Sequence, residues 1–171
     1  MTNKRALPPY RISLAGVLMA AREAVMAPIR PVLRHADVTE QQWRVLRVLN
    51  DEGKMDPSQL ASSALLFAPS VTRILKELLD RGLIERTQDP SDGRRSIIVI
   101  SANGRDLVER AAAHTLHLLD AYAECFGAER LKHLLDEMSA LTEQISALNL
   151  KNGPIPLIKD GFAPKAPPKR K

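Results

Sequence analysis

The sequence predicts a mainly helical protein carrying one small β-hairpin, and three observations predict it. Apolar residues recur at three- and four-residue spacing over much of the chain, most clearly in 69–81, where Val71, Ile74, Leu75, Leu78 and Leu79 share a face. The aromatic share is only 4%, so the core has to be built from Leu, Ile, Val, Ala and Met, side chains that suit helix packing. Only two short runs, 83–87 and 96–100, have strand character, and the turn-rich segment Asp89-Pro90-Ser91-Asp92-Gly93-Arg94-Arg95 joins them as a hairpin with a basic tip.

The elements follow in order. Residues 11–35 read as a helix that Pro28 and Pro31 must bend or break. Lys4, Arg5 and Arg11 ahead of an apolar run superficially match a secretion signal, but Arg22 and Glu23 follow at once and the apolar spacing continues past them. Thr39 with Gln42 forms a capping box, and Trp43, Leu46 and Leu49 give the next helix its apolar stripe until Asp51-Glu52-Gly53 stops it. Asp56 caps a short helix to about 64, with Pro57 at its first position and Gln59 at its third. After three residues of turn, Pro69 opens a helix to about 81, which Gly82 ends in the C′ position. Ser101 caps a long helix to about 126. A second runs from 128 to about 148, and its stripe of Leu131, Leu134, Leu135, Met138, Leu141, Ile145 and Leu148 has to be buried against something.

The division expected is an amino-terminal helical segment 1–38, a lobe 39–101, carboxy-terminal helices 102–148 and a flexible basic tail 149–171, with five prolines and two glycines. The net charge of +5 belongs to that tail, which carries six basic residues and one acid. The remainder holds nineteen of each sign, so an argument for nucleic acid rests on where charges sit. Cys125 is the single cysteine, which excludes an internal disulfide and points to a reducing, cytoplasmic setting. No apolar run reaches the length of a membrane span. His114 and His117 lack the partners of a zinc site, and no nucleophile set, phosphate loop or cofactor motif suggests an enzyme.

Short helix, tight turn, amphipathic helix and basic-tipped hairpin is the order of a winged helix-turn-helix. In that arrangement the second helix offers hydroxyls and cations to base edges and phosphates, while the wing reaches the flanking backbone or minor groove. The segment 39–105, with SVTRILKELLDRGLIER, DPSDGRR and IIVIS leading into NGRDL, resembles the MarR family of bacterial regulators. LMAAREAVMAPIRPVLRHADVTEQQWRVLRVL further resembles the subgroup that represses homoprotocatechuate (aromatic acid) degradation operons, and the likeness covers about 12–148.

The resemblance implies a dimer with intertwined terminal helices, one winged lobe per subunit, operator DNA as partner and an effector pocket between lobes and base. It places Pro69, Ser70, Thr72, Arg73 and Lys76 on the recognition helix, and Arg94, oriented by Asp92 and next to Arg95, on the wing. One departure is Phe67-Ala68-Pro69, where many members carry a polar cap, so base contacts there are expected to be apolar, thymine methyls included. Arg22, in an Ala-rich helix, either pairs with an acid as a desolvated cation or clamps the carboxylate of a small aromatic effector, which the resemblance favours. Met26 and Trp43 are the accompanying ligand candidates, with Arg44 and Arg47 as alternative cations. Two other readings stay open: an architectural, sequence-indifferent DNA-binding protein, and a stress or efflux regulator with another effector.

Overall fold

The computed structural model describes residues 6–88 and 96–152. Within them the chain divides after Asp120 into two compact units. The first holds α1 (Leu14–Met26), α2 (Ile29–His35), α3 (Glu40–Glu52), α4 (Pro57–Ser63), α5 (Ala68–Asp80), β1 (Ile84–Gln88), β2 (Ser96–Ile100) and the start of α6 (Ala102–Phe126). The second holds the end of α6 and α7 (Ala128–Asn152).

The helix expected over 11–35 is two helices, because Pro28 stands at the break. Pro31 is tolerated as the third residue of α2, where a backbone N–H has no intrahelical acceptor to lose. Both capping boxes form. Gln42 N–H donates to Thr39 Oγ1 while Thr39 N–H donates to Gln42 Oε1, at 3.1 and 2.9 Å, and Asp56 and Gln59 exchange the same pair of bonds.

Three helices end in one geometry. At α5, the Gly82 N–H donates to the Leu79 carbonyl and the Leu83 N–H to the Leu78 carbonyl, the two bonds of a Schellman motif, with Gly82 at φ +64°. Helices α2 and α4 close the same way, with Asp37 and Leu65 in the left-handed position at φ +53° and +51°. Because Leu83 is spent on this closure, β1 begins at Ile84, one residue later than the sequence suggests.

The strands pair antiparallel with Ile84 opposite Ile100, and Met55 adds a bridge to Ile98 through bonds of 3.2 and 2.9 Å. That bridge ties the segment before α4 to the hairpin. Leu46, Leu49, Leu60, Ile74, Leu78, Ile84 and Ile98 are fully buried at the centre of the core, each stabilising the fold by roughly 1.5–3 kcal/mol relative to exposure. Ser101 joins α6 to the lobe: its Oγ accepts from the Gly104 N–H at 3.0 Å and donates to the Gly82 carbonyl at 2.7 Å. A Cβ on Gly104 would lie 2.1 Å from the Leu83 carbonyl oxygen, so only glycine allows this approach.

In the second unit α7 continues to Asn152, and the Arg130 guanidinium sits 4.4 Å from the centroid of the Phe126 ring. The expectation that the α7 stripe is buried is not met by the chain itself. Leu134, Leu135, Met138, Ile145 and Leu148 are all exposed, as are Leu14, Val17 and Met19 of α1. Local periodicity specifies that a face is apolar, not which surface covers it.

Candidate nucleic-acid interface and effector site

Helix α5 buries Val71, Ile74, Leu75 and Leu78, and this fixes what it turns outward. Pro69, Thr72, Arg73 and Lys76 are exposed and Ser70 half-buried, so the five positions expected on a recognition helix share its accessible side. Arg73 is held by Glu77 at 2.8 Å, and Glu77 also accepts from the buried Gln42 at 2.8 Å, which ties the orientation of Arg73 to α3. Phe67 is the N-cap and makes no side-chain cap, in keeping with the Phe67-Ala68-Pro69 departure.

Between α5 and the base of the hairpin lies a groove of about 330 Å³ that brings Thr72, Lys76 and Arg86 together with one acid, Asp80. Arg86 donates to Ser96 Oγ at 2.6 Å. The sequence pattern places Arg86 on a strand but does not single it out, because its position beside Lys76 depends on how the hairpin packs against α5. The wing candidates Asp92, Arg94 and Arg95 lie outside the described residues.

Arg22 is not desolvated within this chain; its side chain is 44% exposed. It is instead part of a closed ring of four ion pairs. Arg22 bonds Glu23 at 2.9 Å and Glu40 at 2.5 Å, and Arg30 bonds the second oxygen of each, Glu23 at 2.7 Å and Glu40 at 2.5 Å. The ring joins α1, α2 and the first residue of α3. The Arg30 hydrogen bond, aided by that from Arg22, holds the Glu40 carboxyl below its ordinary range against the opposing effect of desolvation.

One turn further along α3, Trp43 is buried, and the Arg47 guanidinium lies 5.8 Å from its ring centroid. Arg47 Nη2 donates to Asp51 at 2.9 Å, but its Nε is buried with no hydrogen-bond partner. The Asp51 carboxyl is held low, first by Asn50 and then by Arg47. Met26 packs, partly buried, against the core that contains Trp43. Arg44 is engaged elsewhere, donating to the Ala64 and Leu65 carbonyls. A larger cavity, about 870 Å³ between α2 and α6, is lined by Pro31, Val32, His35, Leu107, Ala111 and His114, among others, and includes none of the predicted ligand residues.

Comparison with known proteins decides what this arrangement belongs to. The MarR family profile matches residues 38–96, which span α3 to the start of β2. The HTH-type transcriptional regulator FarR of Neisseria gonorrhoeae is 36% identical over 132 residues, 77% of this chain and 90% of that protein. The chain belongs to the MarR family. The homoprotocatechuate degradative operon repressor of Escherichia coli is also 36% identical to this MarR-family chain over 132 residues, 75% of the chain and 89% of the relative. Among solved structures, NadR in complex with 4-hydroxyphenylacetate superposes with a TM-score of 0.71 at 34% identity, covering 80% of this chain and 96% of that one. This chain is thus a transcriptional regulator of the MarR type with a winged helix-turn-helix, as its sequence predicts. Among the described residues, no helix is long and apolar enough to cross a membrane.

Proposed function

We propose that this MarR-family chain is a homodimeric, cytoplasmic repressor of an aromatic-acid catabolic operon, released by a small aromatic carboxylate or its thioester. The observation that carries the DNA half of the reading is the outward face of α5, where Pro69, Ser70, Thr72, Arg73 and Lys76 gather over a buried apolar face. Two such helices, about 34–36 Å apart in a dimer, enter successive major grooves of a pseudo-palindromic operator. Arg86 with Lys76 seats a phosphate at the wing base, and Asp92, Arg94 and Arg95 extend the contact along the flanking DNA.

The effector half rests on Trp43 as an aromatic wall, Met26 beside the same core, and a cation for the carboxylate. Arg22 already has two carboxylate partners, so a ligand there would have to displace one. Arg47 has a buried Nε still owed a partner, and an incoming carboxylate would supply it. Arg47 therefore takes the clamp role and Arg22 acts through its ring. The relatives support the ligand class, one named for repressing a homoprotocatechuate operon and another captured with 4-hydroxyphenylacetate.

The test pairs footprinting with release. A single protected palindrome is expected, and uniform coverage would favour sequence-indifferent architecture instead. Against phenylacetates, benzoates and cinnamates, Arg47→Ala is expected to bind the palindrome normally but to lose about 2–5 kcal/mol of effector affinity. Arg22→Ala is expected to lower thermal stability before any ligand is added. If Arg22→Ala alone abolished release while keeping full stability, the clamp would belong to Arg22.

A further inference from the structure

Leu65 and Phe67 are the large apolar side chains that the helix-turn-helix leaves in solvent, 82% and 75% exposed, on either side of Leu66, which packs against the core. Packing explains neither. Leu65 occupies the left-handed position that closes α4, where glycine is the unstrained choice and a leucine carries a steric penalty. Its carbonyl and that of Ala64 accept from Arg44 Nη1 at 3.2 and 3.1 Å, so α3 braces the turn from behind in this conformation. Phe67 stands where a short polar side chain would cap α5 and contributes no capping bond. Ala68 and Pro69 are exposed as well. The result is an apolar strip running directly into Thr72, Arg73 and Lys76.

The neighbouring chemistry selects the occupant. Cations and a hydroxyl beside an apolar strip match a polyanion that carries its own apolar group at a fixed depth, and the major groove offers one, the thymine C5-methyl. A second copy seated here would instead bring the Lys76 ammonium groups of two chains together, Arg73 being already paired with Glu77. Resting on the operator-binding reading above, we propose that Leu65 and Phe67 determine sequence specificity by contacting thymine methyl groups, with Phe67 making the principal contact. A phenyl ring has no hydrogen bond to offer a base edge, so the preference it creates is for the methyl alone.

The full-length chain is used to select a duplex from a random-sequence pool, and each thymine of that duplex is then replaced singly by deoxyuridine. The exchange removes the methyl and keeps every hydrogen-bonding group. At one position in each half-site, affinity is expected to fall roughly three- to tenfold. Phe67→Ala should lose a similar factor on the thymine duplex and become indifferent to uracil at that position, with its thermal unfolding unchanged because the ring is in solvent. Should Phe67→Ala fail to fold, Leu65→Gly, which relieves the left-handed strain while deleting the side chain, is tested on the same duplexes for a smaller loss of the same kind. Wild-type affinity in the variant, or weakened binding that still responds fully to uracil, overturns the proposal. So does a changed sedimentation of the DNA-free variant, which would assign the strip to a protein contact. A chain that selects no duplex would bring down the operator reading itself, whereas a selected duplex indifferent to uracil brings down only this inference.

Discussion

Glu40 illustrates how much one side chain can join. As the first residue of α3 it places a negative charge at the helix N-terminus and accepts from two arginines on two other helices. Its carboxyl pKa is lowered in the folded chain, so the stabilisation it provides is present above about 4.3, the ordinary glutamate value, and is lost as pH falls through the lower folded value. Glu40→Gln is therefore expected to melt several degrees below wild type at neutral pH, with the gap closing as the pH falls below about 4. Thermal scans across that range check it, and a gap independent of pH would mean that the ring contributes nothing through its charge.

At the scale of elements, the most exacting joint is where α6 leaves the hairpin. Gly104→Ala would press a methyl group into the Leu83 carbonyl, part of the backbone, which cannot swing aside as a side chain could. A loss of about 1–3 kcal/mol is expected in denaturant unfolding. Asp56→Ala, which removes the cap of the exposed N-terminus of α4, should cost about 1 kcal/mol. These joints were readable to different degrees. Thr39 with Gln42 and Asp56 with Gln59 announce themselves because capping is local, a matter of three residues, and Gly82 marks its helix end for the same reason. The ring was not readable. Arg22 and Glu40 stand 18 residues apart on different helices, and no periodicity links them. The same holds for Arg44 bracing the Ala64–Leu65 turn and for Arg86 facing α5: each depends on how elements pack, which a one-dimensional pattern does not encode. Leu65 is a third kind of case, a residue in a position whose usual occupant is glycine, so the helix end it makes carries no sequence mark.

For the molecule as a whole, α1 and α7 carry exposed apolar residues, and the homodimer proposed above would cover them with a surface of matching character. Sedimentation of the full chain is expected to give a dimer. Leu135→Glu, on a side chain more than half exposed in the single chain, should shift it toward monomer and weaken operator binding by uncoupling the two lobes. A fully dimeric variant would move the interface away from this face. Family membership and the outward face of α5 were both legible in the sequence, the second because an amphipathic helix must hide one side and show the other.

The ring of Arg22, Glu23, Arg30 and Glu40 also ties the amino-terminal helix to the start of α3 within one compact unit. Both oxygens of each carboxylate and two nitrogens of each guanidinium are occupied, and the four charges cancel. Breaking one bond leaves its two partners mismatched while the other three remain, and water reaches all four side chains, which are a quarter to a half exposed. The four charges thus act as a self-neutral clasp between α1, α2 and the first turn of α3, one whose contribution falls as salt is added.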